Sequence, residues 1–231
     1  MKKIGLIGGM SYESTITYYK LINKKINEQL GKLASAEIVL SSVNFETIEK
    51  LQHENRWDEA GEILAHHAQI LEHAQADFIL ICTNTMHKVY EHVQSRVKIP
   101  VIHIAEATLK ALKSQGINKV GLLGTIYTMK EDFYKKVLID GGVDVVLPSE
   151  SEMKRLNEII FNELCSGKVL DSSKQAFLNI IANLTSQGAK GVILGCTEIG
   201  LLINQTDTDT KLFDTTLIHI DEAVNLALGR L

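Results

Sequence analysis

The sequence predicts an α/β protein of two pseudo-symmetric domains, each a parallel sheet flanked by helices. Short β-branched runs alternate with amphipathic stretches throughout the 231 residues, which is typical of parallel strands joined by covering helices. The pattern also restarts, because KIGLIGG at residue 3 returns as KVGLLGT at 119. FILICTNT at 78 returns as GVILGCTE at 191, and IHIAEATLKAL at 102 returns as IHIDEAVNLAL at 218. Three similar pieces in the same order indicate an internal repeat.

The first half is predicted to alternate four strands with three helices. The first helix has Tyr18, Leu21, Ile22 and Ile26 at helical spacing, and the strands are short β-branched runs. The predicted strands cover residues 4–7, 37–43, 78–81 and 101–104, and the predicted helices cover 14–30, 60–75 and 89–97.

The second half repeats this alternation and ends in a helix. The predicted strands cover residues 120–123, 143–147 and 191–194, and the predicted helices cover 129–138, 156–164, 175–186 and 221–228. We expect an N-terminal domain over 1–98 and a C-terminal domain over 99–214, joined near Ile99 and Pro100. The last segment, 215–231, could return to pack on the first domain.

Composition and charge exclude several classes of protein. A net charge of −4 without a basic cluster argues against nucleic-acid partners and against anionic membranes. No apolar run approaches the ~20 residues of a membrane span, so we expect no membrane partner and a cytoplasmic protein. The three cysteines form no C-x-x-C pair, which argues against a zinc site and a disulfide framework.

Polar tails follow four of the predicted strands, and they place the active site in the cleft between the domains. The tails are GGMS at 8, CTNT at 82, GTIYT at 124 and CTE at 196. Ligands of parallel α/β units bind beyond the carboxyl ends of the strands, so two facing halves would bring these tails to one ligand. Met10 and Ser11 follow a tight turn whose backbone N–H groups could hold a carboxylate.

Groups on two sides of a ligand suit the removal of a proton from one face of a carbon and its return to the other. A thiolate is a suitable base, because a helix N-terminus can lower the pKa of a cysteine toward ambient pH. The sequence has no metal-ligand cluster, nucleotide loop or pyridoxal-lysine motif, so we expect no metal and no cofactor.

Three histidines lie near these tails. His87 follows the CTNT loop and could act as a base, cap a helix or serve a structural role. His103 and His219 are partners in the repeat, and they could orient neighbouring groups or simply pack.

The motifs GGMSYEST, CTNTMHK and LGCTEIG resemble the cofactor-independent aspartate/glutamate racemase superfamily over essentially the whole chain. They are most similar to its L-aspartate/glutamate-specific or broad amino-acid branch. The family motif Cys-Asn-Thr-x-His aligns with Thr83 to His87, so Thr83, and not Cys82, occupies the position of the first catalytic thiol. Cys196 matches the second thiol.

The resemblance implies a small-molecule amino-acid substrate, a homodimer, and proton transfer at Cα by Thr83 and Cys196. It implies substrate contacts from the same loops. These come from the backbone at Met10 and from the side chains of Asn84, Thr85, Thr197 and Glu198. Because a threonine is a poor base, we expect the L-to-D direction to be favoured.

Two departures from the family pattern concern the distal end of the substrate. The loop after the second strand has no arginine before Arg56, which leaves Lys50 and Gln52 as the nearest polar candidates. Cys165 stands where the family has a lysine. Three hypotheses therefore stay open: an aspartate/glutamate racemase, an isomerase or decarboxylase of a small diacid on the same scaffold, and a catalytically weakened binding protein.

Overall fold

The structure, a computed structural model, describes residues 1–230 and divides the chain into two compact units. The first unit comprises residues 1–103 and the chain from His219 onward, and the second comprises Ile104–Ile218. The chain therefore leaves the first unit after His103 and returns to it after Ile218.

Each unit contains a four-stranded sheet in which every strand pair is parallel. The first sheet has the order β2-β1-β3-β4, and the second has the order β6-β5-β7-β8. The strands within residues 1–230 are β1 (Ile4–Gly8), β2 (Ile38–Ser42), β3 (Phe78–Ile81), β4 (Val101–Ile102), β5 (Lys119–Gly124), β6 (Asp144–Val146), β7 (Val192–Gly195) and β8 (Leu212–Asp214).

Helices connect the strands and cover the sheets. In the same residues they are α1 (Tyr12–Leu30), α2 (Phe45–His53), α3 (Trp57–His73), α4 (Tyr90–Ser95), α5 (Ile104–Ser114), α6 (Ile126–Lys130), α7 (Asp132–Asp140), α8 (Glu150–Asn162), α9 (Asp171–Ser186), α10 (Ile199–Leu202) and α11 (Thr215–Ala227). Short 3₁₀ turns occupy Thr85–Val89, Leu164–Ser166 and Gln205–Asp207. None of these helices combines the length and the apolarity that crossing a membrane requires.

Alternation of side chains along the central strands explains how each sheet is covered on both faces. In β5, Val120 and Leu122 pack with residues of α5 and α7, whereas Leu123 packs with residues of α8 and α9. Successive residues of a strand point to opposite faces, so both faces are apolar and both need a covering helix.

The last helix contributes to the core of the first unit. Ile220, Ala223 and Val224 of α11 are buried in the same cluster as Ile4 and Tyr18. The corresponding helix after β4, which is α5, instead buries its apolar face in the second unit. Each unit is therefore completed by a helix that follows the last strand of the other.

Two of the three repeated pieces correspond in the sheet register, and the third does not. Gly5 pairs with Ile79 and Gly121 pairs with Val192, so the repeat offset of 113 (192 − 79) holds for β3 and β7.

Ile79 pairs with Val101 and Val192 pairs with Leu212, which gives β4 and β8 an offset of 111 (212 − 101). The similar IHI segments at 102 and 218 differ by 116 (218 − 102), so they are not structurally equivalent.

Candidate active site

The loop after β1 is shaped by one glycine. Gly9 has φ +93, and a Cβ at this position would lie 2.2 Å from the Val43 carbonyl oxygen, so only glycine fits. The Gly9 N–H donates to Thr15 Oγ1 at 2.8 Å, and Ser11 caps α1 by accepting from the Ser14 N–H at 3.4 Å. Met10 lies between them and is buried.

The loop after β3 carries three of the predicted site residues. Thr83, Asn84 and Thr85 follow the strand directly, and all three are buried at the carboxyl edge of the sheet. β1 and β3 are neighbours, and Ser14 Oγ donates to the Cys82 carbonyl at 3.3 Å, so the two loops are in contact. The first unit therefore brings Met10 and the Thr83–Thr85 segment to one edge.

Cys82 is a core residue in this unit. It is fully buried in the cluster that contains Ile4, Leu6 and Ile220, and burial raises the pKa of its thiol. The following residue, Thr83, keeps 9% of its surface exposed. The Cys82 thiol therefore lies in the core, and Thr83 is the residue of the two that keeps some exposed surface at the end of the strand.

Gln52 lies on α2, which the sequence analysis did not predict. Asn44 caps this helix by accepting from the Glu46 N–H, and the buried positions are Ile48, Leu51 and Gln52. Gln52 is 5% exposed, and its Nε2 donates to the Met86 sulfur at 3.0 Å. The helix thus places Gln52 against the 3₁₀ turn that follows the Thr83 loop.

In the second unit, the loop after β7 forms a hydrogen-bonded cluster around one carboxylate. The Cys196 thiol donates to Glu198 Oε2 at 3.0 Å, and the Thr197 hydroxyl donates to the same oxygen at 2.8 Å. All three residues are buried. This unit therefore brings together Cys196, Thr197 and Glu198, and a thiol proton has an acceptor within hydrogen-bond distance.

A helix N-terminus can lower the pKa of a cysteine, but at Cys196 the shift is in the opposite direction. Burial, and then the charge of the Glu198 carboxylate, raise the pKa of Cys196 well above its ordinary value. The loop after β7 does lead into a helix, but α10 has only four residues. Desolvation and a neighbouring negative charge dominate here, so Cys196 is a protonated thiol when no ligand is bound.

Cys165 lies close to this cluster. It is partly buried and packs on the core that contains Cys196, and burial followed by the Glu198 charge raises its pKa. Lys50 lies near the loop position where the resemblance implies an arginine, and Lys168 lies near Cys165, where it implies a lysine. Both Lys50 and Lys168 are exposed. Across residues 1–230, the buried polar side chains include no lysine or arginine.

Two further polar residues, Thr125 and His87, were not assigned to the site from the sequence. Thr125 follows β5 and caps α6, accepting from the Thr128 N–H at 3.4 Å, as Ser11 does for Ser14 in the first unit. The repeat of KIGLIGG and KVGLLGT was the signal that could have identified Thr125. His87 is buried beneath the Thr83 loop, with Nδ1 2.9 Å from the Thr83 carbonyl oxygen.

Comparison with known proteins places the chain in a family. Residues 7–223 match the model of the Asp/Glu/Hydantoin racemase family. A structure assigned to the Asp/Glu racemases, from Yersinia pestis, is 47% identical, has a TM-score of 0.92 and covers 99% of this chain and 100% of its own. A structure of an aspartate racemase homologue from Pyrococcus horikoshii OT3 is 39% identical, with a TM-score of 0.84, 99% coverage of this chain and 100% of its own.

A curated relative is more distant. The broad specificity amino-acid racemase RacX of Bacillus subtilis (strain 168) is 26% identical over 172 residues, which is 74% of each chain. The family match spans both units and includes the loops after β1, β3, β5 and β7. The chain therefore belongs to the Asp/Glu/hydantoin racemase family.

Proposed function

We propose that the protein is a cofactor-independent amino-acid racemase that acts on aspartate and glutamate by proton transfer at Cα. The observation that carries the proposal is the buried Cys196–Glu198 pair, in which a thiol donates to a carboxylate at 3.0 Å at the end of a central strand. A thiol with an acceptor for its own proton can become the base that a carbon acid requires.

Burial keeps the Cys196 thiol protonated, and Glu198 offers an acceptor for that proton. Movement of the thiol proton to Glu198 Oε2 converts a thiol and a carboxylate into a thiolate and a carboxylic acid. The pair keeps its single negative charge, so no additional charge is buried. The thiolate sulfur then takes the Cα proton of the L-enantiomer, and the electron pair of the broken C–H bond remains on the substrate as a carbanion.

The reaction ends when a proton reaches the opposite face of Cα. In this proposal the Thr83 hydroxyl supplies that proton and recovers one from solvent, while Glu198 releases to solvent the proton that it took from Cys196. Both residues then return to their starting forms, and Cys196 carries the proton taken from Cα. Thr83 is suited to giving a proton in this relay and poorly suited to starting the reverse reaction, because an aliphatic hydroxyl is a weak base. The proposed direction is therefore L-to-D.

The remaining predicted residues have proposed roles in holding the amino acid. Asn84, Thr85 and Thr197, with the backbone near Met10, offer small polar groups for the amino and carboxylate groups of the substrate. Gln52 is the proposed contact for the distal group. An uncharged amide in place of a cation leaves neutral amino acids as candidates beside aspartate and glutamate.

Incubation of the protein in D₂O with a panel of L- and D-amino acids tests the proposal. We expect deuterium at Cα and the opposite enantiomer with aspartate or glutamate, and Cys196→Ala should reduce the rate at least 10²-fold, because the base is lost. Cys165→Ala is the matched control, a neighbouring and partly buried thiol whose loss should change the rate by less than about threefold.

Other outcomes of the same experiment would contradict the proposal. Carbon dioxide release from a small diacid without enantiomer exchange would identify a decarboxylase. No exchange with any member of the panel would favour a binding protein. Loss of activity in Cys165→Ala with retention in Cys196→Ala would show that the base is assigned to the wrong thiol.

A further inference from the structure

The backbone of the loop that carries Thr83 is fixed by hydrogen bonds to its carbonyl groups. The Ile81 carbonyl accepts from the Thr83 N–H at 2.8 Å, and the Cys82 carbonyl accepts from Ser14 Oγ at 3.3 Å. The Thr83 carbonyl accepts from His87 Nδ1 at 2.9 Å, and the Asn84 carbonyl accepts from the His87 N–H at 3.0 Å. Two of these four bonds therefore come from one residue.

The tautomer of His87 follows from its partner. A backbone carbonyl can only accept a hydrogen bond, so His87 Nδ1 carries a proton and donates it to Thr83. The imidazole is 2% exposed, so this bond is shielded from competing water. His87 thereby connects the loop to the 3₁₀ turn Thr85–Val89 through a side chain as well as through the main chain.

The orientation of the His87 ring is set by aromatic neighbours. His103 lies 4.8 Å away between ring centroids, Tyr90 stacks at 6.4 Å and 12°, and His219 meets the ring at 6.0 Å. His219 is itself fixed, because its Nε2 lies 2.9 Å from the Ile102 carbonyl oxygen and its Nδ1 lies 2.9 Å from the Tyr18 hydroxyl. The His87 ring therefore contacts the residue that follows β4, the first residue of α4 and a residue of α11.

The second unit has no equivalent imidazole. With the offset of 113 between β3 and β7, the position of His87 corresponds to Gly200 (87 + 113). A Cβ at Gly200 would lie 2.5 Å from Asp214 Oδ2, so a side chain there would collide with that carboxylate. The hydrogen bond from an imidazole to the loop backbone is therefore present in the Thr83 loop and has no counterpart in the Cys196 loop.

We infer that His87 is a positioning residue for Thr83: its Nδ1–H bond to the Thr83 carbonyl sets the direction of the Thr83 hydroxyl, and thereby controls proton delivery on that face of the substrate. This inference rests on the proposed racemisation and extends it to a residue outside the substrate-binding groups. A purely structural role for His87 would instead affect both faces of the substrate equally.

Two variants separate these roles. In His87→Asn the amide nitrogen takes the place of Nδ1 and can still donate to Thr83, whereas in His87→Gln the amide lies one atom further out, near the place of Nε2. His73→Gln is the control, because His73 Nδ1 makes the same bond to a carbonyl four residues earlier, Gln69 at 2.7 Å, at the exposed end of α3.

The first readout is a ratio of products formed from the L-substrate in D₂O. A carbanion formed on the Cys196 side becomes deuterated D-product if the Thr83 side protonates it. It becomes deuterated L-substrate if the Cys196 thiol exchanges its proton with D₂O before returning it. We expect His87→Gln to lower the inverted-to-returned ratio at least about fivefold, and His87→Asn and His73→Gln to leave it within about twofold. The ratio does not depend on the fraction of folded protein, so an unchanged ratio in His87→Gln overturns the inference.

The second readout needs no activity. The Thr83 amide donates to the Ile81 carbonyl, so its hydrogen exchange reports opening of the loop. We expect His87→Gln to accelerate exchange at Thr83 about tenfold and His87→Asn to restore protection. Equal exchange in wild type and His87→Gln would overturn the inference even if the proposed reaction is correct. Absence of α-proton exchange in the wild type would overturn the proposed function alone.

Discussion

A single carboxylate oxygen, Glu198 Oε2, accepts from both a thiol and a hydroxyl at the proposed catalytic centre. The thiol of Cys196 is buried and its pKa is raised, so it is inactive as a base until its proton moves. Glu198 is the group within reach of that proton. In the proposed reaction the base is therefore the pair, and we expect a change at either member to slow the reaction strongly.

Replacement of Glu198 by glutamine tests the pair at the residue scale. Glu198→Gln keeps the size of the side chain and a hydrogen-bond acceptor for Thr197, but an amide cannot take the thiol proton. We expect kcat for α-proton exchange from the L-substrate to fall by about 10²- to 10⁴-fold, the range typical for loss of a proton-transfer group. The measurement is deuterium incorporation by mass spectrometry.

Glu152→Gln provides the control for this variant. Glu152 Oε2 also accepts from a hydroxyl, that of Ser149 at 2.7 Å, but on the exposed surface at the start of α8. Its replacement should leave kcat within about twofold, since surface substitutions have small effects. Full activity in Glu198→Gln would show that Cys196 loses its proton by another route.

The position of Cys82 shows what a sequence pattern can decide at one residue. Alternation along a strand, together with the register of Asn84 and His87 in the family motif, predicts that Cys82 and Thr83 face opposite ways. The structure places Cys82 in the core, and Thr83 keeps 9% of its surface exposed. The raised pKa of Cys196 could not be predicted in this way. It depends on which carboxylate a buried loop brings to the thiol, and spacing alone does not determine that contact.

At the scale of elements, continuous apolar runs and long helical patterns were predicted well, and several short elements were missed. The strand over 78–81 and the helix over 175–186 match β3 and most of α9. The helix predicted over 89–97 is instead the 3₁₀ turn Thr85–Val89 followed by α4. β8 has only three residues, which is too short to show a period, and it forms because the edge of β7 offers unpaired backbone groups.

α2 is the missed element that carries a proposed substrate contact, Gln52. Its apolar positions Phe45, Ile48 and Leu51 have helical spacing, and Asn44 is a typical cap, so the signal was present in the sequence. Because the sequence analysis did not predict this helix, it gave no direction for the Gln52 side chain. With the helix, its side chain is buried and touches the turn after the Thr83 loop.

A like charge at position 52 tests whether α2 faces the distal end of the substrate. In Gln52→Glu, a carboxylate near the side chain of bound aspartate or glutamate should raise KM about 5- to 50-fold at pH 8, by like-charge repulsion. The KM for a neutral amino acid should change less. Gln69→Glu, the same charge change on α3 of this unit, should leave both constants unchanged. Equal increases in KM for acidic and neutral substrates would remove Gln52 as a side-chain contact.

At the scale of the whole molecule, duplication determines the architecture. Both sheets have the same order and register around their central strands, and each central pair ends in polar loops. The two halves differ in the groups that these loops carry. The first has a threonine braced by histidine, and the second has a thiol paired with a carboxylate. The proposed proton-transfer groups of the two halves therefore differ although their sheets are alike.

Three buried histidines should make the stability of the protein depend on pH. Burial lowers the pKa of His87 to about 4, of His103 to about 2 and of His219 to about 3. The unfolded chain binds protons at these residues below about pH 6.5 while the folded chain does not, so stability falls as pH falls from 6.5 toward 4. Each histidine contributes a slope of up to about 1.4 kcal/mol per pH unit in this window.

Urea unfolding at several pH values between about 6.5 and 5 measures this slope. His103→Gln removes one of the groups that titrate in this window, so we expect the slope of its free energy of unfolding to fall by up to about 1.4 kcal/mol per pH unit. His73→Gln, on the exposed end of α3, should retain the wild-type slope. A slope in His103→Gln equal to that of the wild type would show that His103 is protonated in the folded state.

The direction of the reaction tests the central claim, that Cys196 begins proton transfer and Thr83 completes it. Enantiomers have equal free energies, so kcat/KM must be the same in both directions, and asymmetry must appear as a lower kcat and a lower KM for the D-substrate. The decisive measurement is kcat for α-proton exchange from D-aspartate or D-glutamate in D₂O. Thr83→Cys should raise it at least about tenfold, because a thiol ionises far more readily than a hydroxyl, while Cys82→Ala should leave it unchanged. No increase in Thr83→Cys, together with loss of activity in Cys82→Ala, would contradict the account and identify Cys82 as the first-half acid/base.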